Sequence, residues 1–239
     1  QQCGKPPLPP KPTPAVLAPP APPPVPVAPQ GSAPSARGRV VERAMAEWAF
    51  FDRPILQEGR LIRAGRTEGD AGQWQRVRTY WREGLGNSSV RSRGEVISRD
   101  HPWSAAFIAY VMKTAGGADP FPAAASHSGS IKEAIYNHTH ALTESKLLGH
   151  PVTDYAPRPG DLLCTTRSWA RGQVTYDNAS RFDFFPSRCE LVVSARPDRI
   201  ATIGGDLMDA VSLHTIRAVE GRVAPEAAKD WLVVIQTRT

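Results

Sequence analysis

The sequence predicts an α+β fold in which N-terminal helices pack on an antiparallel β-sheet, and three features of the chain carry that prediction. Apolar residues recur at helical spacing through the first half. The stretch from His101 to Gly117, HPWSAAFIAYVMKTAGG, has no polar face for several turns, so its helix must be buried against a sheet. After Pro157 the text changes to short β-rich runs bounded by Pro, Gly and Asp.

Each element follows from its own residues. Residues 36–51 form a helix, because Val40, Val41, Ala44, Trp48 and Phe51 fall on one face and Pro54 stops it. A second helix over Trp74 to Leu85 repeats the pattern with Trp74, Val77, Tyr80 and Trp81, and Gly84 and Gly86 close it. The third begins near Trp103 with Ser104 in its first turn. A serine there caps the helix, or stands at a terminus whose free N–H groups and partial positive charge suit a nucleophile. A fourth helix runs from Ser128 to Asn137 after the loop PFPAAASHS. The strands are read from RPGDLLCTTR, CELVVSA, RIATIGGD, AVSLHTI and DWLVVIQT. Residues 168–187 have few apolar pairs and are expected to run over a cleft rim.

Composition divides the chain. Of 239 residues 24 are proline, and they crowd residues 1–35, a tract that favours polyproline II and serves as a spacer. Residues 36–239 then form one domain, with a helical part over 36–100 and a helix-plus-sheet core over 101–239. The net charge of +6, less Lys5 and Lys11 of the tract, leaves +4 on that domain, with its arginines scattered. Nucleic acid is therefore not an expected partner, whereas an anionic cell-wall polymer is compatible. No apolar run approaches the roughly 18 residues that would span a membrane. The absence of an initial Met, with Cys3 ahead of a Pro-rich spacer, fits a protein matured on export to the periplasm or exterior and tethered near its N-terminus. Three cysteines leave an odd one: Cys164 and Cys189 can bridge, which leaves Cys3 free or paired elsewhere. No His, Cys or carboxylate cluster has metal-ligand spacing, Gly204-Gly205 is not a nucleotide loop, and no cofactor is expected.

The order of PWSAAF, PRPGDLL, a short alternating strand and IGGD resembles the NlpC/P60 and CHAP superfamily of papain-like cell-wall peptidases and amidases. Within it the chain resembles the uncharacterised bacterial DUF2272 family, which has a similar PWSAAFI helix, SHS loop and PGDL strand. The likeness covers roughly Trp74 to Ser212. It implies a papain-like fold in which Ser104 stands where those peptidases have a nucleophilic cysteine, Arg188 where a histidine begins the second strand, and Asp206 where a polar residue orients that histidine. A serine hydroxyl needs a neighbouring base, and a guanidinium stays protonated and cannot be one. His127, in the SHS loop, is the candidate base.

Strand alternation puts Arg188 and Glu190 on one face and Cys189 on the other. In the papain-like reading Glu190 joins Arg188 in the cleft, as an ion pair or a recognition element, with Trp103 and Tyr155 contacting substrate. Cys189 then meets Cys164 in a disulfide, or the two remain buried thiols. The remaining histidines read as surface groups, apart from His101 at the start of the third helix. The expected activity is an exported hydrolase acting on amide bonds of peptidoglycan peptides. The alternative is an inactive relative that binds peptidoglycan or a protein partner in the same groove.

Overall fold

The computed structural model describes residues 34–116 and 124–238. Cys3, the Pro-rich tract through residue 33 and the Gly117 end of the third helix lie outside the described residues.

The first helix, α1 (Ala36–Phe50), is capped by Ser35, whose Oγ accepts the Gly38 N–H at 3.1 Å. Val40, Ala44 and Trp48 form its buried stripe, and the Trp48 indole N–H donates to the Pro54 carbonyl at 2.8 Å. A hairpin that the sequence reading missed follows, β1 (Ile55–Gln57) and β2 (Arg60–Arg63), turning at Gly59 with φ +75°. Three and four residues are too few for alternation to register as a strand. The predicted Trp74–Leu85 helix is α2 (Gln73–Thr79), which continues as a π-turn over Tyr80–Gly84. That widened turn buries Tyr80, Trp81 and Gly84 together. Gly84 is required there, since a Cβ would stand 2.7 Å from the Ala106 carbonyl oxygen and 2.8 Å from the Tyr110 nitrogen. Next come a one-turn helix, α3 (Arg93–Val96), then α4 (Ser104–Thr114) and α5 (Ser128–Thr139). As its uniform hydrophobicity demands, every residue of α4 from Ser104 to Met112 is buried.

The sheet comprises β1, β2, β3 (Leu147–His150), β4 (Leu162–Thr166), β5 (Ser187–Ala195), β6 (Arg199–Gly204), β7 (Ser212–Val219), β8 (Arg222–Val223) and β9 (Val233–Thr237). Its order is β2-β1-β7-β6-β5-β4-β9-β3, with β8 paired to β7. All these pairings are antiparallel except β1 with β7. The molecule is thus a mixed α+β protein built on a large, open, mostly antiparallel sheet.

One face carries the main core, where α1, α4 and α5 meet Leu162, Cys164, Cys189, Leu191 and Ile203. The other face holds a smaller cluster of Leu163, Val192, Ile200, Ile216 and Val234, with Tyr155 and Trp231 against it and α6 (Pro225–Ala228) contributing Ala227. Cys164 and Cys189 are register partners across β4 and β5 and form a disulfide, which decides between the bridge and the two free thiols. Residues 168–187 do run along a cleft, which Ser168, Phe184, Pro186 and Ser187 line, and they are anchored to the core as well. They contain two short 3₁₀ turns and bury Ala170, Val174, Ala179 and Phe185.

Candidate functional site

Ser104 is the first residue of α4, and its side chain does not cap the helix. Its Oγ lies 3.1 Å from His127 Nε2 and 3.4 Å from the Cys189 carbonyl oxygen. The imidazole is positioned by its own loop: Ser128 N–H donates to Ser126 Oγ at 3.2 Å, the two serine hydroxyls meet at 3.0 Å, and the His127 carbonyl starts α5 by accepting from Ile131. Serine and histidine are both buried, at 2 % and 3 % exposed, on the wall of a cleft of about 240 Å³ that Arg99, Arg167, Ser187 and Phe184 also line.

Burial is the main reason the His127 imidazole is hard to protonate. The charges of Arg167 and Arg188 act in the same direction, a hydrogen bond to the Ser104 backbone opposes them, and the value falls to about 3 from 6.5. The ring is therefore neutral at pH 7, and in its Nδ1–H tautomer Nε2 accepts the Ser104 hydroxyl proton. No carboxylate of the described residues bonds to it.

Arg188 and Glu190 do share a face and do pair, Nε to Oε1 at 3.2 Å, but the face is the one away from α4. This corrects their placement in the Ser104 cleft. Cys189 faces the helices because the hydrophobic core on that side takes the apolar parity of β5, leaving the two charged residues to the opposite side. Trp103 and Tyr155 are likewise corrected as substrate contacts, since neither lines the cleft. Trp103 is 1 % exposed, in the aromatic core with Phe51 and Tyr80, and its indole N–H donates to Glu68. Tyr155 stacks on His150 at 4.3 Å and donates to Asp161 at 3.2 Å. Asp206 reaches the cleft only through Arg167, which it pairs with at 2.7 Å, so it orients a cation rather than a histidine.

His214, read from sequence as a surface group, is buried. Its Nδ1 lies 3.1 Å from Glu190 Oε2, and its Nε2 accepts the Gly59 N–H at 3.0 Å. The alternation of SLHTI carried the signal, since His214 shares its face with the buried Ile216. Arg167 and Glu68 had no such signal, because loops place them.

Glu68, Asp206 and Asp209 bring their carboxylate oxygens within 4.8 Å of one another. Such a set has the hard-oxygen chemistry of a divalent-cation site, but Arg167 already supplies a cation to Asp206. Burial raises the Glu68 carboxyl against the Trp103 hydrogen bond, and the charges of Asp206 and Asp209 add to the rise, to about 7.

These shifts predict an acid profile. His127, lowered to about 3, gives stability that is full above 6.5 and is lost as pH falls from there towards 3. Glu68, raised to about 7, has the opposite sign, its contribution being full below 4.5 and lost as pH rises towards 7. Between 4.5 and 6.5 the two oppose each other. Below 4.5 His127 is joined by Glu190, whose carboxyl is lowered to about 2, so stability should drop steeply. Thermal melts of Glu68→Gln should reveal the His127 slope between pH 4.5 and 6.5 that the wild type hides. A variant melting curve as flat as the wild type's in that window would refute the assignment.

A protein-family model described as "Uncharacterized protein conserved in bacteria (DUF2272)" matches residues 68–236. No curated protein and no solved structure matches the chain.

Proposed function

Since the chain belongs to the DUF2272 family of uncharacterised bacterial proteins, we propose from its Ser104 cleft that it is an exported hydrolase of amide bonds in peptidoglycan peptides. The observation that carries this reading is the 3.1 Å contact between Ser104 Oγ and His127 Nε2 at the start of a buried helix. In the reaction Ser104 Oγ attacks the scissile carbonyl carbon while its proton passes to His127 Nε2. The first-turn N–H groups of α4, which have no intrahelical acceptors, stabilise the tetrahedral oxyanion. Collapse breaks the C–N bond, His127 returns the proton to the leaving amine, and water then releases the acyl group by the same path.

The accompanying scaffold reading is papain-like: a nucleophile helix laid across a mostly antiparallel sheet, with histidine supplied by the loop before α5 in place of the β5 strand. Arg99 and Arg167 at the cleft suit the carboxylates of cell-wall peptides. The disulfide, and the absence of any long apolar helix among the described residues, are compatible with export.

A second reading, binding of the same peptides without turnover, is favoured by one observation. An imidazole lowered to about 3 is a weak base, and none of the described carboxylates strengthens it. The two readings part on treatment with a fluorophosphonate, an electrophile that modifies activated serines. Peptide mass spectrometry is expected to find the adduct on Ser104, and peptidoglycan fragments are expected to gain free amines. No adduct and no new amines, with fragments still bound, would reject the hydrolase and leave the binding protein.

A further inference from the structure

On the sheet face away from α4, a cavity of about 350 Å³ is lined by Arg188, His214, Thr165, Trp231, Arg171 and Lys229. Beneath it Glu190 is fully buried. Its Oε2 accepts from Thr202 Oγ1 at 2.6 Å and from His214 Nδ1 at 3.1 Å. The Gly59 N–H, donating to Nε2, fixes the proton of that imidazole on Nδ1. Oε2 is thus occupied, while Oε1 faces only Arg188 Nε at 3.2 Å, a charge contact without an aligned hydrogen bond.

Arg188 is consequently held by the inner nitrogen of its guanidinium. Its side chain is 18 % exposed, and none of the described residues hydrogen-bonds its two terminal nitrogens. A fork anchored from behind, with both outer donors free at a cavity wall, has the geometry that takes a carboxylate through two parallel hydrogen bonds. Trp231 lines the same cavity, its ring centroid 5.7 Å from that of His214, and Arg171 and Lys229 stand exposed around it. Glu58 and Asp230 also line it, which suits a single negative charge and disfavours a phosphate dianion.

We propose that this cavity is a binding site for a small monocarboxylate, gripped by the Arg188 fork with its apolar part against Trp231. The cavity shares no lining residue with the Ser104 cleft, although the Arg188 charge also acts on His127.

The test is calorimetric titration of the full chain with N-acetylglycine, with its neutral amide and with inorganic phosphate. The carboxylate should bind saturably at millimolar concentrations and the amide should not. Arg188→Lys, which keeps the charge beside Glu190 but loses the fork, should weaken binding about tenfold. Lys229→Glu, an exposed change that cannot unfold the protein through its core, should also weaken it. Phosphate binding more tightly than the carboxylate, equal binding of the amide, or unchanged affinity in both variants would overturn the proposal.

Discussion

Alanine at position 104 is expected to reduce hydrolysis of peptidoglycan peptides by about 10³-fold or more while leaving the fold intact. The reason is chemical, since no other hydroxyl of the described residues is paired with His127. Removing one buried hydroxyl from the first turn of α4 costs little packing, and Trp103 and Phe107 continue to hold the helix start. His127→Gln, which can still accept a hydrogen bond but cannot carry a proton through the reaction, should lose activity to a similar extent. The pH profile distinguishes this base from an ordinary histidine. With its imidazole lowered to about 3, activity that needs the free base should persist well below 6.5 and fall only near the lower value. Initial rates and circular dichroism on the three proteins provide the check. Full turnover in Ser104→Ala would remove the serine from the mechanism.

Glu190→Ala is expected to be the most damaging single change to stability, costing about 3–5 kcal/mol in urea denaturation. The carboxylate is completely buried. Burial, its largest influence, works against the charge, yet His214, Arg188 and Thr202 together hold the carboxyl down at about 2. Truncation would strand the Arg188 cation, the His214 Nδ1–H and the Thr202 hydroxyl in a low-dielectric space. Glu190→Gln, which keeps the shape and can still accept from His214 and Thr202, should cost distinctly less. Replacing Glu190 and Arg188 together with leucine should recover much of the loss, because the unpaired charge disappears with its partner. If Glu190→Ala costs under about 1 kcal/mol, the buried network has been misjudged.

How much of this was legible in the text can be followed residue by residue. Helix α4 was readable because its apolar residues leave no polar face, which only a buried helix tolerates, and the structure buries it from Ser104 to Met112. The disulfide was readable because alternation turns Cys189 away from Arg188 and Glu190, and β4 brings Cys164 to meet it. Parity also put Arg188 and Glu190 on a common face. Parity could not say which face that was. The answer depends on where the helices lie, and they lie on the cysteine side.

The same limit applies to the aromatics. Trp103 stands one residue before Ser104, and only the assembled core shows it turned inward to Phe51, Tyr80 and Glu68. The hairpin of β1 and β2 was invisible because strands of three and four residues carry no period, and β1 is recruited by parallel pairing to a strand more than 150 residues later.

The sequence by itself determined the four longer helices, the burial of the serine-bearing one and the parity of β5, since local spacing sets each of these. Only the tertiary structure decided that His127 meets Ser104 at 3.1 Å and that Arg188, Glu190 and His214 gather on the far side of the sheet. Those contacts join residues 23, 24 or fewer positions apart through turns and loops, and their geometry is fixed by which sheet face the core covers.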